Sequence, residues 1–591
     1  MDSLTRPITA NATANTTAAG GADGRPAQHT SRIRSASPWA VLAIILTAVF
    51  MQLLDTTITM VGVPSIQGSL HSSFGEIQLV VAGYMLAFAC VLVAGGSLGN
   101  TYGRKRMFLW GMAGFTIASA VCGAAPDALT LICSRVVQGM CSGLMFPQVL
   151  SIIQVVFRKA QRNKAIGLYG ATIGLATILG PVTGGGLIDL NIAGWGWRSI
   201  FYINVPIGLA AIALGVAMIP ESRAGAGRRI DLPGAGLLGA GLFLLVLPLV
   251  IGRDQGWPAW SFGCLAASPF VLAAFAGYER RRTSRRNGPL IDTTLFRQRP
   301  FTLGLIACLV FFTGIPSFFM ILLLTLQAGL GYSPVKAGAV TLGFAVALAI
   351  GSARSTAVTR RLGTRVLMAG CALMIIGQLG VIGVMDWAGT GLQGWQLLAP
   401  MFVAGLGGGF FIAPVTSVVL AGITAKDSGA ASGALATVQQ VGAALGIAVV
   451  GVIFFGLLGA NAGSSSASAV PQLRHELTVA GVPAAEQPVI ITKFDACFSA
   501  RAHATDPSAT PAVCAQTERQ LAASPAPAAV KAAVATAINT HAVPAARLDD
   551  FTQSMRVTLW WQVGVFALAL ILASRLPKVR LDSDGPMAGG A

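Results

Sequence analysis

The sequence predicts an all-α membrane protein, and three observations support that fold class. The 591-residue chain has a mean hydropathy of +0.70, with 54% hydrophobic and only 10% charged residues, which excludes an ordinary soluble globular protein. Apolar windows of about 20 residues, long enough to cross a bilayer as helices, recur along the chain. Arg and Lys residues collect in alternate connecting loops, as they do in multi-pass membrane proteins.

Fourteen transmembrane helices are predicted from these windows. The predicted spans are residues 38–64, 77–98, 107–125, 129–153, 165–188, 200–219, 234–251, 261–278, 301–326, 335–354, 366–385, 396–421, 431–459 and 557–575. The polar segment 1–37 is expected to be a disordered tail, and 576–591 a second tail. The Ala/Pro/Ser-rich segment 460–556 is expected to be a long external loop with short surface helices, either a passive cap or a contact for an external partner.

The basic loops predict the orientation of the chain. One set of loops contains Arg104 to Arg106, Arg158 to Lys164 and Glu279 to Arg286, whereas the short loops on the other face contain only Arg198, Arg253 and Lys336. By the positive-inside rule, both termini are expected in the cytoplasm, and the protein in the cytoplasmic membrane. The net charge of +18 is therefore attributed to topology and to contact with membrane lipid, and no nucleic-acid partner is expected.

Two of the nine cysteines lie outside the predicted spans. Cys497 and Cys514 share the external loop, where an oxidising compartment favours a disulfide, although two free thiols are the alternative. No His or Cys spacing resembles a metal site, so no metal ion is expected.

A weak internal repeat relates the two ends of the chain. Gly139 and Gly143 of the fourth predicted span recur as Gly405 and Gly409 of the twelfth, with a proline shortly after each pair. The offset is eight helices, which predicts two six-helix bundles, residues 38–219 and 301–575, separated by two inserted helices within 220–300.

Several motifs resemble those of the major facilitator superfamily, specifically its fourteen-helix drug:proton antiporter branch. They are "GSLGNTYGRKR" (Gly96 to Arg106), "RVVQG" (Arg135 to Gly139), "GLATILGPVTGG" (Gly174 to Gly185), "LDTTITMVGVP" (Leu54 to Pro64) and "GAASGALATVQQVGAALG" (Gly429 to Gly446). The chain departs from the family pattern at Asn100, Met60 and Gln439, where aspartate, asparagine and arginine are usual. The missing charge at Asn100 is expected to weaken the latch of the inward gate.

The resemblance implies proton-coupled efflux of small amphipathic drugs or antibiotics by alternating access. The proton gradient would supply the energy, with no cofactor. A monomer is expected, and no enzymatic activity is expected because the sequence shows no nucleophile with a base, no metal cluster and no phosphate-binding glycine loop. The resemblance assigns gating to two groups of residues: Gly96, Asn100, Gly103 and Arg104 in the loop motif, and Gly174, Gly180, Pro181, Gly184 and Gly185 in the fifth span.

Two charged residues interrupt predicted spans, where a charge is costly. Desolvation disfavours the ionised form of Asp55, so this carboxyl could load and release a proton, or it could be a permanently paired structural acid. Arg135 cannot lose its proton usefully and must be compensated, either to bias a proton site or as a structural pin. Both are expected to share a water-accessible space walled off from lipid. Gln138, Gln439 and Gln440 are the expected substrate-cavity residues.

The fifth-span glycines leave one helix surface without side chains, which lets another helix approach and slide, or simply pack tightly. Pro181 is expected to bend the helix and close one end of the cavity. Two other classes of function stay open: a nutrient or siderophore transporter that is uncoupled or uses proton symport, and a membrane receptor or scaffold that does not transport.

Overall fold

The computed structural model describes residues 37–223, 231–284, 293–420, 423, 428–504 and 510–577. The expected disordered tail at 1–37 and the tail at 576–591 therefore lie almost wholly outside the described residues. Within the described ranges all regular structure is helical, and fourteen helical segments are long and apolar enough to cross a membrane. The protein is thus an all-α, multi-pass membrane protein with fourteen spans, as the sequence predicts.

The first six spans form the first half of the molecule. Its helices are α1 (Pro38–Leu70), α2 (Phe74–Tyr102), α3 (Arg104–Ala124), α4 (Ala128–Val156), α5 (Lys159–Leu190), α6 (Ser199–Tyr202) and α7 (Asn204–Met218), the last two sharing one span. Local sequence sets several helix starts: Ser73 and Glu76 form a capping box at α2, and the Asp127 carboxylate accepts from the Thr130 amide at α4.

Two inserted helices lead to the second half and to an outer layer. The inserted helices are α8 (Leu232–Ile251) and α9 (Ala259–Ser284). The second half contains α10 (Arg299–Leu324), α11 (Pro334–Val340), α12 (Leu342–Leu362), α13 (Arg365–Ala388), α14 (Leu398–Val419) and α15 (Ser428–Val479). An outer layer of α16 (Gln487–His503), α17 (Ala512–Ala523) and α18 (Ala528–Thr536) precedes the last spanning helix, α19 (Val543–Ser574).

Glycine contacts repeat between the two halves. A Cβ atom added to Gly139 would lie 2.3 Å from the Tyr84 carbonyl oxygen, and one added to Gly405 would lie 2.2 Å from that of Phe344. One turn later, Gly143 and Gly409 approach the next turn of α2 and α12 in the same way. Small residues let membrane helices approach closely, so α2/α4 and α12/α14 are equivalent pairs in two six-helix bundles.

The spans cross alternately, so the loop Arg104–Arg106 and the outer layer lie on opposite sides of the molecule. We call the side with Arg104–Arg106 the basic face and the side with α16–α18 the non-basic face. On the non-basic face the halves touch: Gln327 Nε2 donates to the Val61 carbonyl at 3.0 Å, and the rings of Phe74 and Phe455 stack with centroids 4.0 Å apart. The non-basic face is therefore closed between the halves.

The outer layer corrects the expected extent of the loop 460–556. Helix α15 does not end near residue 459 but continues to Val479, and α19 begins at Val543. At about 1.5 Å per residue, the 52 residues of α15 far exceed the roughly 30 Å hydrocarbon core. Its extension packs with α16 and α18 around a separate apolar core that contains Leu473, Phe494 and Val534.

Candidate functional site

The first half contains a fully buried ion pair between α1 and α4. The Arg135 Nη1 atom lies 2.5 Å from Asp55 Oδ2, and the side chains are both 1% exposed. Gln138, one turn after Arg135, donates from Nε2 to Asp55 Oδ1 at 3.0 Å and accepts from Arg135 Nη1 at 2.7 Å. The helical spacing of Arg135 and Gln138 places both side chains on the same face of α4, toward α1.

Further groups from three other helices complete this buried network. Asn204 of α7 donates to Asp55 Oδ1 at 3.1 Å and to the Ser119 hydroxyl at 3.0 Å. The Arg135 Nε atom donates to the Val80 carbonyl at 3.2 Å, and its guanidinium stacks 4.2 Å above the Tyr84 ring. Asn204, Ser119 and Tyr84 could not be predicted as site residues, because nothing in a single sequence indicates which polar residues of separate helices face one another.

Asp55 and Arg135 lie closer together than was expected from the sequence, which predicted only a shared water-accessible space. The two groups make direct contact, without a water-filled space between them, and neither faces lipid. Gln138 is 0% exposed, so in this conformation it orients the ion pair and does not line a substrate cavity. Pairing and multiple hydrogen bonds are what a charge needs in order to be retained away from water.

The equivalent position of the second half is apolar. Arg135 lies four residues before Gly139, and Met401 lies four residues before Gly405. Met401 is completely buried, as Arg135 is, and the glycine contacts of the two helix pairs are alike. The packing of such a pair therefore does not itself require a guanidinium.

Gln439 and Gln440 lie on α15 in the second half, far along the chain from the ion pair. Both are half-buried, and the Gln439 side chain reaches the Cys308 thiol of α10. Neither residue is part of the Asp55 network. Their assignment to the substrate cavity stays a prediction.

The loop between α2 and α3 is held within the first half. Gly103 joins the helices at a φ of 111°, a conformation that favours glycine. Asn100 accepts a hydrogen bond from Arg104 Nη2 at 3.3 Å, and Glu221, at the end of the sixth span, accepts from the Lys105 amide at 3.2 Å. Glu221 also pairs with Arg106 at 3.7 Å. Gly96 precedes this loop on α2, next to Pro147 of α4.

Two glycines of α5 bring it against α1 close to the ion pair. A Cβ atom at Gly180 would lie 1.8 Å from the Thr57 hydroxyl oxygen, and one at Gly184 would lie 3.2 Å from the Ile58 side chain. Thr57 and Ile58 follow Asp55 within one helical turn. Any sliding of α5 along α1 would therefore act directly on the segment that carries Asp55.

Helix α5 also contacts the second half near its non-basic end. A Cβ atom at Gly185 would lie 2.4 Å from Cα of Val335 in the second half, and one at Gly338 would lie 2.5 Å from the Pro181 carbonyl oxygen. A Cβ atom at Gly174, in contrast, would meet no atom within 4 Å. The halves thus meet at the non-basic end of α5, whereas α5 has no close neighbour at Gly174.

The outer layer contains a disulfide between Cys497 and Cys514, which joins α16 to α17. Among the described residues, no group of three or more His, Cys, Asp or Glu side chains is arranged to hold a metal ion.

Two six-helix bundles that repeat the same glycine contacts and meet on the non-basic face have the architecture of a secondary membrane transporter. The chain belongs to the Major Facilitator Superfamily, which it matches over residues 45–447.

Known relatives cover most of the chain. A protein described as "Probable actinorhodin transporter" from Streptomyces coelicolor is 38% identical over 548 residues, covering 93% of each chain. "Tetracenomycin C resistance and export protein" of Streptomyces glaucescens is 33% identical, covering 71% of this chain and 77% of that protein. "Multidrug resistance protein Stp" of Mycobacterium tuberculosis is 32% identical, with the same coverage.

Solved structures agree on the fold. A bacterial homolog of the human lysosomal transporter Spinster, in an inward-facing and unoccupied conformation, superposes with a TM-score of 0.56 at 15% identity, covering 91% of this chain and 97% of that one. The peptide transporter POT superposes with a TM-score of 0.53 at 14% identity, covering 69% and 88%. These similarities show the fold alone.

Proposed function

We propose that this protein exports small amphipathic organic molecules, among them antibiotics, in exchange for protons that move inward. The observation that carries the coupling is the buried Asp55–Arg135 pair, whose equivalent in the second half is the apolar Met401. Since the shared packing does not require a charge, the pair is retained for another purpose. Relatives described as export and resistance proteins support the direction and the substrate class.

The proposed cycle begins from the conformation described here, which is closed at the non-basic face and has Asp55 paired with Arg135. When the halves rock, α5 slides on α1 at Gly180 and Gly184 and opens a path to the carboxyl from the non-basic face. A proton then neutralises Asp55 and releases it from Arg135. Arg135 keeps the Val80 carbonyl, Gln138 and the Tyr84 ring, so its charge stays compensated in the protonated state.

The proposal includes an orientation. The basic face lies in the cytoplasm, with both termini, and the chain works as a monomer in the cytoplasmic membrane without a bound cofactor, since the proton gradient is the energy source. A reporter enzyme that is active only outside the cytoplasm tests this orientation. It should be inactive when fused after residue 577 and active when inserted between α16 and α17, and the reverse pattern would contradict the assignment.

Transport is tested with purified protein in sealed vesicles that have an acidic lumen. Ethidium and an acidic dye, 3-hydroxy-2-naphthoate, serve as probes beside a panel of antibiotics, and vesicles without protein serve as the control. We expect at least one compound to accumulate in the lumen above its external concentration while protons leave the lumen. This accumulation should stop when nigericin collapses the pH gradient. Equilibration without accumulation would indicate an uncoupled transporter, and the absence of any flux would indicate a receptor; either result overturns the proposal.

A further inference from the structure

A cavity of about 660 Å³ lies between the outer layer and the membrane bundle on the non-basic face. Its volume is within the range of small-molecule sites. Its floor is formed by the outer ends of both halves, including Pro64 of α1, Phe74 of α2 and Leu324 of α10. Phe74, which stacks on Phe455 where the non-basic face is closed, is part of this floor, so an opening between the halves at this stack would lead into the cavity.

Two residues of the cavity wall, Asp550 and Gln67, each carry a buried polar atom that has no hydrogen-bond partner among the described residues. Asp550 is 3% exposed and its Oδ1 atom accepts no hydrogen bond from the described residues; Gln67 is 5% exposed and its Nε2 atom likewise finds no acceptor there. An unsatisfied buried polar group is costly and indicates a missing partner. Both atoms lie below the accessible surface of the cavity, so the class of ligand is set by the charged and aromatic residues that line it.

The charges and rings of the wall narrow the class of ligand. Four basic side chains line the cavity against two acidic ones, Glu518 and Asp550; the basic residues are Lys493, Arg501, Lys531 and Arg547. None of these six residues forms an ion pair within the part of the chain that the structure describes. Phenylalanine rings from α2, α16 and α19 supply flat apolar surface.

We propose that this cavity is an outer binding site for an aromatic molecule that carries an acidic group. The acidic group would lie toward Arg501 and Arg547, and the rings would pack against Phe494, Phe498 and Phe551. The Cys497–Cys514 disulfide, which also lines the cavity, fixes α16 against α17 and so keeps the wall in place.

Exported substrate would pass through this cavity on its way out, and this part of the proposal rests on the proposed function. Binding of a ligand to the cavity does not depend on that function. Binding is therefore measured without a gradient, on the full chain in nanodiscs of neutral phosphatidylcholine. The probes are 3-hydroxy-2-naphthoate, 2-naphthoate, which lacks the hydroxyl, and the cation 1-naphthylmethylammonium. Equilibrium dialysis against nanodiscs without protein corrects for partition into lipid.

We expect 3-hydroxy-2-naphthoate to bind at least tenfold more tightly than the cationic probe. The double variant Arg501→Gln, Arg547→Gln should lose at least tenfold in affinity for both anionic probes. Equal binding of cation and anion, or no binding above that of the protein-free nanodiscs, would mean that water alone fills the cavity and would overturn the proposal.

A matched pair of tryptophan variants locates the binding. Ala532 of α18 lines the cavity, whereas Ala529 of the same helix is exposed and does not. Ala532→Trp should weaken probe binding at least tenfold and Ala529→Trp less than twofold; equal effects would place the binding elsewhere. Failure of gradient-driven export with intact probe binding would count against the proposed function alone, and the reverse result would count against the outer site alone.

Discussion

The two six-helix halves have the same helix packing but a different polarity. Gly139 against Tyr84 and Gly405 against Phe344 make equivalent close contacts. The first half nevertheless buries an ion pair, whereas the second buries Met401 at the corresponding place. Glycine contacts and apolar packing are therefore sufficient to form a six-helix half. The buried ion pair is not required for this packing and is found in the first half at a position that is apolar in the second.

The largest expected effect comes from giving the first half the residue of the second. Arg135→Met leaves the Asp55 carboxylate buried without its cation, which should lower the free energy of unfolding by about 3–5 kcal/mol. The measurement is the thermal unfolding midpoint of the purified protein, together with gradient-driven transport, which should be abolished.

The double variant Asp55→Leu, Arg135→Met separates the effect of the ion pair on stability from its effect on transport. It removes both charges and makes the site resemble the second half, so it should recover much of the stability lost in the single variant. It should still be inactive in transport. A double variant that transports as the wild type does would show that the pair is only a structural pin.

The outer layer is a second difference, because it is inserted between α15 and α19 of the second half. Replacing Cys497 and Cys514 by serine removes a disulfide that spans 17 residues, which should destabilise the outer layer by about 3 kcal/mol. Limited proteolysis should cleave α16 and α17 faster while the membrane bundle stays protected. Unchanged cleavage rates would show that the apolar core of the layer is sufficient without the disulfide.

A smaller effect is expected at the seal between the halves. Gly185→Ala adds a methyl group 2.4 Å from Val335 Cα, so the closed non-basic face should lose about 1–3 kcal/mol. A cysteine introduced at Gln327 should then react several-fold faster with an impermeant maleimide. Gly174→Ala, where the added methyl group meets no atom within 4 Å, is the control and should leave the rate unchanged.

The smallest effect is expected from an exposed ion pair. Asp386 and Arg556 are joined at 2.8 Å, with side chains 50% and 45% exposed. Because solvent screens such a pair, Asp386→Asn should change the free energy of unfolding by no more than about 1 kcal/mol and should leave transport intact. An effect as large as that of Arg135→Met would mean that burial does not explain the difference between the two pairs.

Much of the fold could be predicted from the sequence, because hydropathy reports directly on what a bilayer accepts. The windows located the spans, and the recurrence of Gly139 as Gly405 indicated the two bundles. The extensions of α15 and α19 were missed, because an apolar window marks where a helix leaves the membrane and not where the helix ends. Residues beyond 459 are polar enough for water and still helical.

The site was predicted only in part. A charge inside an apolar window is visible in the sequence, so Asp55 and Arg135 could be identified. Their direct contact, and the contribution of Asn204 at a sequence separation of 149 residues, depend on how each helix is rotated about its axis. Asp550 and Gln67 were missed for a related reason, since their missing partners become apparent only once the outer layer covers them.

A comparison of net transport with exchange in Asp55→Asn is the decisive test of Asp55 as the proton carrier. Net transport is accumulation driven by an acidic lumen; exchange is the swap of labelled for unlabelled substrate at equal pH on both sides. We expect Asp55→Asn to lose accumulation, because no proton can be carried, while exchange continues. The control variant Asp386→Asn should keep both accumulation and exchange. Wild-type accumulation in Asp55→Asn would contradict the assignment of Asp55 as the proton carrier.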